Sequence, residues 1–273
     1  MASANKYMII DGSYYIFHRF YAVANWFQMQ NPLKEYHLDR LAEDSEFLAK
    51  YNRLFGENIT RLMKRHKIHS KDSVLIVEDC PRSSIWRSKM FPEYKKSRKP
   101  SSVDPKIFHH SLHYLAPELG IRVLAYPNAE ADDIAYVVGK NMADKGAIVT
   151  IITNDNDYLQ MYDKDKIEIF NVQGLDLSTR MMGLTAEEYL RYKVLIGDKS
   201  DNIPSAIPRV GPKKAMVLLR NDEKLHAALN ANSSLHARFN ENDTLMNFEK
   251  IPLDISVGIQ LAYTKKMMNG EST

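Results

Sequence analysis

The 273-residue sequence has a single cysteine, Cys80, which excludes an intramolecular disulfide and a zinc site built from several thiolates. It also has no apolar run long enough to span a membrane and no signal-peptide pattern near its first residue. Internal repeats and low-complexity tracts are absent as well. These absences predict a protein of a reducing, cytoplasmic compartment, without a membrane partner.

The composition has enough apolar residues for a buried core, since 44% of the residues are hydrophobic. The formal net charge is only +3, but the charges are unevenly distributed. Between Arg87 and Lys99 there are six basic residues and one acidic residue, Glu93. Segregation of this kind predicts a negatively charged partner better than the total charge does.

Short apolar runs at 7–10, 73–77, 123–126 and 147–153 predict strands, and helical patterns at 39–66, 105–119 and 130–145 alternate with them. The alternation indicates an α/β fold with a mostly parallel central sheet flanked by helices. We expect residues 1–183 to form a metal-binding α/β domain and residues 184–273 a helical subdomain that starts with an N-cap at Thr185. The segment of about 80–104 is basic, and we interpret it as a long excursion poor in core residues.

Acidic residues follow the predicted strands or begin the predicted helices. Three of them, Asp11, Asp79 and Asp155, come at the carboxyl ends of separate strands, where ligands of α/β folds bind. Such a group of carboxylates would repel itself unless cations held it, and oxygen ligands suit Mg²⁺ or Mn²⁺. The candidate metal ligands are Asp11, Asp79, Glu130, Asp132, Asp133, Asp155, Asp157, Asp198 and Asp201.

Each acidic residue also has an ordinary structural interpretation. Asp11 could be a turn or N-cap residue, Glu130 and its neighbours could favour a helix N-terminus, and Asp155 with Asp157 could form an Asx turn. Each interpretation works alone, but together they require several coincidences. We therefore favour the metal site, and with it an enzyme that acts on phosphodiesters.

The basic segment 87–99 is interleaved with aromatic residues, and this favours contact with nucleic acid over a merely solvated surface. Lys95 and Arg98 lie three residues apart, so one face of a helix would carry both, and we expect them to contact the scissile phosphate. Arg87 is a third candidate for this role. Lys89, Lys96 and Tyr94 are predicted to contact the nucleic acid.

Gly211-Pro212-Lys213-Lys214 precedes a helical run, so its backbone N–H groups and both lysines could bind a phosphate. The alternative is an ordinary helix start.

Several of these segments, taken in order, resemble the 5′-nuclease superfamily, which includes flap endonucleases and the exonuclease domain of bacterial DNA polymerase I. Within it, the sequence is similar to the ribonuclease H group of T-even bacteriophages. The segments are Ile10-Asp11-Gly12-Ser13-Tyr14, Trp86-Arg87 through Tyr94-Lys95-Lys96-Ser97-Arg98, Glu130-Ala131-Asp132-Asp133, Thr153-Asn154-Asp155-Asn156-Asp157 and Gly197-Asp198-Lys199-Ser200-Asp201-Asn202-Ile203-Pro204.

The resemblance implies a PIN-like nuclease domain with a helical arch at about 80–104 and a helix-three-turn-helix subdomain that binds duplex DNA. Arg87, Lys95 and Arg98 would be the basic residues of the arch. Two Mg²⁺ or Mn²⁺ ions are implied, one held by Asp11, Asp79, Glu130, Asp132, Asp133 and Asp155, the other by Asp155, Asp157, Asp198 and Asp201. A K⁺ ion often binds the family's helix-three-turn-helix loop, but here only Gly211 remains of the loop glycines, which argues against it.

The implied activity is a divalent-metal-dependent 5′→3′ exonuclease or flap endonuclease that cleaves DNA and RNA–DNA hybrids and removes RNA primers in replication. A monomer is expected, with branched or nicked duplexes as substrates and a single-strand-binding protein or polymerase clamp as partner. The first alternative is a structure-specific DNA-binding protein that has lost catalysis. A haloacid-dehalogenase-type phosphatase and a compact single-strand ribonuclease are further alternatives; the first would need an aspartate pair after the first strand.

Overall fold

A computed structural model describes residues 5–30 and 37–269. Its centre is a sheet of five parallel strands in the order β3-β2-β1-β4-β5. The strands are β1 (Lys6–Asp11), β2 (Val74–Glu78), β3 (Arg122–Ala125), β4 (Ile148–Ile152) and β5 (Ile167–Phe170). The four predicted strands are thus present, and the parallel α/β fold is confirmed.

Helices cover both faces of the sheet. Those before residue 184 are α1 (Gly12–Gln30), α2 (Ser45–His66), α3 (Trp86–Met90), α4 (Pro105–His109), α5 (Ala116–Glu118) and α6 (Ala131–Asp144), with a π-helical segment, His110–Leu115, between α4 and α5. Those after it are α7 (Ala186–Ile196), α8 (Pro212–Leu219), α9 (Asp222–Asn230), α10 (Ser233–Met246) and α11 (Leu253–Asn269). None of the helices in these described ranges has the length and hydropathy needed to cross a bilayer.

Alternate residues of each strand enter two different cores, as the two-residue period of a strand requires. Met8 and Ile10 of β1 pack with α1 and α2 on one face, whereas Ile9 packs with α6 on the other. Tyr189 and Leu195 of α7 join the same core as Ile9. The C-terminal helices therefore pack directly on the sheet domain, and the predicted division at 183/184 stays a prediction.

The segment 80–104 differs from the prediction, because it packs against the fold. Cys80, Ile85 and Tyr94 are buried together with Val194 and Leu245 of the C-terminal helices. The expectation of an excursion poor in core residues was therefore wrong. It relied on the basic composition of the segment and gave too little weight to the apolar side chains spaced among the charges. The helical part of the segment is the five-residue α3, and an arch through which a 5′ end passes stays a prediction.

Candidate active site

Three carboxylates meet because their strands are neighbours in the sheet. Asp11 ends β1, Asp79 follows β2, and Asp155 comes three residues after β4, and the sheet order places β1 between the other two. Helix α1 begins immediately after Asp11 at Gly12, where a Cβ would lie 2.6 Å from the carbonyl oxygen of Val77. Glycine thus allows the chain to turn into α1 without pushing Asp11 away from β2.

Six of the nine predicted acidic ligands line one cavity of about 640 Å³ at this edge of the sheet. Lys95 and Arg98 line it as well. The six acidic residues are Asp11, Asp79, Glu130, Asp132, Asp155 and Asp198. The convergence predicted from the sequence is therefore present in the fold.

Four of these carboxylates, Asp11, Asp79, Asp132 and Asp155, have no lysine or arginine within ion-pair distance among the described residues, and we call them the open half of the site. Asp11 accepts hydrogen bonds from Thr153 Oγ1 at 2.9 Å and from the Tyr14 N–H at 3.0 Å. Burial and the neighbouring charge of Asp79 nevertheless raise the pKa of Asp11 to about 6. A carboxylate in this state favours a cation close to it.

In the rest of the open half, neutral groups donate hydrogen bonds to Asp79, and the pKa values of Asp155 and Asp132 are raised. Asp79 accepts hydrogen bonds from Ser13 Oγ at 2.7 Å and from the Ala131 N–H at 2.9 Å. Desolvation and the adjacent Asp157 raise the pKa of Asp155 to about 7. Desolvation also raises the pKa of Asp132 well above its usual range, together with the charges of Glu130 and Asp133.

The other carboxylates, Glu130, Asp157, Asp198 and Asp201, are paired with basic side chains, and we call them the paired half. Glu130 accepts hydrogen bonds from Arg87 at 2.9 Å, from the Tyr94 hydroxyl at 3.0 Å and from Lys95. Although burial opposes it, Lys95 and Arg87 lower the pKa of Glu130. Glu130 is therefore already neutralised by the protein itself.

Asp201 is bound by Arg98, and Lys95 Nζ lies 3.6 Å from its second oxygen. Lys193 Nζ bridges the remaining pair, 2.6 Å from Asp198 Oδ2 and 3.0 Å from Asp157 Oδ1. Although burial opposes it, hydrogen bonds from Lys193 and Ser200 lower the pKa of Asp198 to about 2. Gly197, with φ of +72°, ends α7 and turns the chain so that Asp198 faces Lys193.

Four predicted site residues are buried and do not line the cavity: Arg87, Tyr94, Asp133 and Asp201. Arg87 is 1% exposed and donates hydrogen bonds to Glu130, Asp133 and the carbonyl oxygen of Leu245, so its predicted contact with the scissile phosphate is wrong for this conformation. Tyr94 is 5% exposed, and a base cannot stack on its ring. Asp133 is 0% exposed.

Arg87 and Asp133 are buried because they belong to one hydrogen-bond network, which the sequence does not reveal. Both oxygens of Asp133 are taken, by Arg87 at 2.7 and 2.9 Å, by the Trp86 indole N–H at 2.9 Å and by the Glu130 N–H at 3.0 Å. A direct metal bond would break several of these contacts. The predicted role of Asp133 as a ligand is therefore corrected to the support of Glu130 and Arg87.

The other basic residues of the segment differ in their surroundings. The side chain of Lys95 is 13% exposed at the cavity, whereas that of Lys96 is 65% exposed and pairs with Glu93. Lys89 is exposed and lies 3.3 Å from Asn128 Oδ1. Contact of Lys89 and Lys96 with nucleic acid stays a prediction.

The predicted phosphate loop has the expected geometry. Helix α8 begins at Pro212, and Gly211 at its N-cap provides no capping side chain, so the N–H groups of the first turn are available to an anion. Lys213 and Lys214 are exposed. The loop lies outside the carboxylate cavity, which fits a contact with duplex away from the cut.

Sequence reasoning missed several residues that arrange the site. Ser13 and Thr153 donate to the open half, and Arg180 donates hydrogen bonds to Asn154 and Asn156 on either side of Asp155. Lys193 was also missed, although its position five residues before Asp198 on a predicted helix was a possible signal. The hydroxyls of Ser13 and Thr153, each within two residues of an aspartate, were a further signal.

The donor set suits hard divalent cations, because the open half offers carboxylate oxygens and no nitrogen or sulfur ligand. Glu130, Asp132 and Asp133 also have carboxylate oxygens within 4.8 Å of one another. Within the described part of the chain, only Asp132 of this group has no ion pair with a basic side chain, so we assign the metal-binding capacity chiefly to the open half. The residues present therefore fit the Mg²⁺ or Mn²⁺ expected from the sequence.

A family model for the N-terminal, resolvase-like domain of 5′-3′ exonucleases matches residues 6–192. The chain belongs to this family. It is a nuclease, an enzyme that cleaves phosphodiester bonds, and the acidic cavity is where its metal-binding residues converge.

Similar proteins cover most of the chain. The 5′-3′ exonuclease of Buchnera aphidicola is 28% identical over 94% of this chain and 90% of its own. Flap endonuclease Xni of Shewanella denitrificans is 32% identical over 64% of this chain and 70% of its own. The flap endonuclease of bacteriophage T5, solved with DNA and metal ions, has a TM-score of 0.65 at 17% identity and covers 97% of this chain and 99% of its own. The T5 structure shows that the fold is shared.

Proposed function

We propose that this chain is a divalent-metal-dependent 5′→3′ exonuclease and flap endonuclease that cleaves DNA and RNA–DNA hybrids. The observation that carries the proposal is the open half, where Asp11, Asp79, Asp132 and Asp155 face one cavity without a basic partner. Two of these carboxyls have pKa values raised to about 6 and 7, because they are buried beside other carboxylates. The flap endonuclease of bacteriophage T5 was solved with both DNA and metal ions, which supports the binding of nucleic acid and metal ions by this chain.

The site residues divide the work of phosphodiester hydrolysis. A Mg²⁺ or Mn²⁺ ion bound here would lower the pKa of a water molecule bound to it and would stabilise negative charge on the phosphate oxygens. Asp11, Asp79, Asp132 and Asp155 hold and orient such ions, while Ser13 and Thr153 fix two of the carboxylates in place. Neutral donors hold these carboxylates without neutralising them, which preserves their affinity for cations.

Lys95 and Arg98 are the basic residues nearest to a substrate phosphate. Both line the cavity, and both are held at its wall by Glu130 and Asp201. A charged donor fixed in advance stabilises developing negative charge without reorganisation during the reaction. Arg87 positions Glu130 from behind and does not contact the substrate.

The C-terminal helices bind duplex beside the cut. The N-terminus of α8, with Gly211, Lys213 and Lys214, contacts a backbone phosphate of the duplex. The loop before it lacks the glycines of a potassium-binding loop, and we assign it no K⁺ ion. In the cell, we propose a monomer in the cytoplasm that removes RNA primers, with a single-strand-binding protein or polymerase clamp as partner.

A catalytically inactive DNA-binding protein is the second candidate, and the open half argues against it. Four carboxylates without a basic partner are costly to maintain unless they bind cations. An aspartyl-phosphate phosphatase is also disfavoured, because β1 is followed by Gly12 and Ser13 and not by a second aspartate.

The proposal is tested with flap, nicked and RNA–DNA hybrid duplexes labelled at the 5′ or the 3′ end, incubated with Mg²⁺ or with EDTA. We expect short 5′-labelled products from all three in Mg²⁺ and none in EDTA. Binding of flaps without any Mg²⁺-dependent product would support the inactive alternative. Products that start from the 3′ end would contradict the assigned polarity.

A further inference from the structure

Lys193 occupies the space between two carboxylates of the paired half. Its Nζ lies 2.6 Å from Asp198 Oδ2 and 3.0 Å from Asp157 Oδ1, and its side chain is 13% exposed at the cavity. Burial alone would lower the pKa of this amine, but the two carboxylates raise it above its usual range. The ammonium is therefore a fixed positive charge within the acidic site.

The second oxygen of Asp198 offers no alternative ligand. Asp198 Oδ1 accepts hydrogen bonds from Ser200 N–H at 2.8 Å and Ser200 Oγ at 2.6 Å, which leaves Oδ2 as the available oxygen. A Mg²⁺ ion bonds its oxygen ligands at about 2.1 Å, so an ion on Oδ2 would lie within about 4 Å of the ammonium, where their like charges repel each other. The Lys193 ammonium therefore opposes, by its charge, the binding of a divalent cation at Asp198 Oδ2 and Asp157 Oδ1.

We propose that Lys193 is the resident counter-ion of the Asp157–Asp198 pair and that a second divalent cation binds there only after Lys193 moves away. Lys193 lines the cavity. A phosphate group of nucleic acid bound in that cavity is the anion with which the ammonium then pairs. Loading of the second ion is thus coupled to substrate binding, while the open half binds its ion without substrate. This proposal rests on the proposed function for its ligands, but it concerns binding and not cleavage.

The coupling has a physical reason in the charges. Without substrate, the ammonium satisfies Asp157 and Asp198 at hydrogen-bond distance, so a divalent ion must first break a charged pair. With substrate, a phosphate satisfies the ammonium and leaves two free carboxylates. Exposed Lys199 is in the neighbouring loop and makes no ion pair among the described residues, so it offers a matched control for the loss of one charge.

The test measures Mn²⁺ binding to the full chain without nucleic acid, by the electron paramagnetic resonance signal of free Mn²⁺ and by titration calorimetry. We expect wild type to bind one Mn²⁺ strongly and a second weakly. Lys193→Met should tighten the second binding by about tenfold, a typical coupling between sites, and leave the first unchanged. Lys193→Arg and Lys199→Met should resemble wild type.

A second arm adds a nicked duplex with phosphorothioate linkages at the scissile positions to slow cleavage, and binding is read before product forms. The duplex should tighten the second Mn²⁺ of wild type by about tenfold and that of Lys193→Met by much less, because the variant has no ammonium to release. Equal second affinities of wild type and Lys193→Met without nucleic acid would overturn the proposal. An equal gain on adding the duplex would overturn it too.

Two controls keep the result separate from folding and from activity. Circular dichroism in EDTA checks the fold, and Lys193→Gln, which keeps hydrogen-bond donors without the charge, replaces Lys193→Met if the latter does not fold. Neither arm requires turnover. A failed cleavage panel with the expected Mn²⁺ binding would therefore contradict the proposed function alone, and the reverse result would contradict the role of Lys193 alone.

Discussion

The open and the paired halves of the acidic site contain the same kind of side chain with different charged neighbours. In the open half, burial and like charges raise the pKa of Asp11 to about 6 and that of Asp155 to about 7. In the paired half, basic side chains outweigh burial at Glu130 and at Asp198, whose pKa is lowered to about 2, whereas burial still raises the pKa of Asp201. A carboxylate's role in this site is therefore decided by its neighbours.

The comparison also separates cations that support the fold from cations that face the substrate. Arg87 is buried behind Glu130, whereas Lys95 and Arg98 line the cavity. All three belong to one basic segment of the sequence. The segment therefore combines an internal ion-pair network with a substrate-facing surface.

The largest effect is expected in the open half. Asp155→Asn removes a metal-binding charge that no basic side chain neutralises, and we expect kcat to fall about 10³-fold or more with duplex binding retained. Single-turnover cleavage and gel-shift binding measure the two quantities. Asp163→Asn, in an exposed turn, is the control and should be near wild type. Near-normal turnover of the Asp155 variant would remove the open half from catalysis.

The next effect is on stability and arises behind the paired half. Arg87→Met leaves Asp133 buried without a charged donor among the described residues and leaves Glu130 with Lys95 alone, and breaking a buried ion pair costs about 3–5 kcal/mol of unfolding free energy. Urea unfolding followed by circular dichroism gives this value. Lys89→Met changes an exposed charge two residues away and should stay within about 0.5 kcal/mol of wild type. A stable but inactive Arg87 variant would instead indicate direct contact with the substrate.

The adjacent residues Lys95 and Lys96 allow the loss of a charge at the cavity to be compared with the loss of a charge at the surface. Lys95→Ala should lower kcat about 10²-fold, as expected for the loss of one charged donor to the reacting phosphate. Lys96→Ala, which removes an exposed charge paired with Glu93, should leave kcat within about threefold. Equal losses in the two variants would mean that the segment acts only by its overall charge.

The smallest effect is a difference in pH response between the halves. Because the folded pKa values of Asp11 and Asp155 lie above the usual 3.8, the folded state holds more protons, and their contribution to stability falls as pH rises from about 4 to 7 in EDTA. The folded pKa of Asp198 is depressed, so its contribution is present above about 4 and is lost as pH falls towards 2.

Thermal melts in EDTA at steps between pH 2 and 8 measure this difference, with Asp155→Asn as the control that removes one of the raised groups. Mn²⁺ should reverse the loss near pH 7 in wild type and less so in the variant. Stability in EDTA that rises steadily from pH 4 to 7 would contradict the assignment of an uncompensated open half.

The sequence was sufficient to predict the convergence of Asp11, Asp79 and Asp155, because parallel neighbouring strands bring their carboxyl ends together. It was not sufficient for the pairing of Arg87 with Asp133 or of Lys193 with Asp157, since these contacts join residues far apart in the chain. Strand β5, Ile167–Phe170, was missed because it follows the charged run Lys164-Asp165-Lys166 and contains Glu168, so the sequence shows no apolar run there. Tyr94 was misassigned because its burial depends on the C-terminal helices that pack over it.

The most direct test of the account is anomalous diffraction from crystals grown with Mn²⁺ in the absence of nucleic acid. We expect a strong anomalous peak among the carboxylates of Asp11, Asp79, Asp132 and Asp155, with oxygen distances of about 2.2 Å. The Asp157–Asp198 pair should still hold Lys193. An absence of any peak in the open half, or a peak that displaces Lys193 while the open half stays empty, would contradict the division on which the account depends.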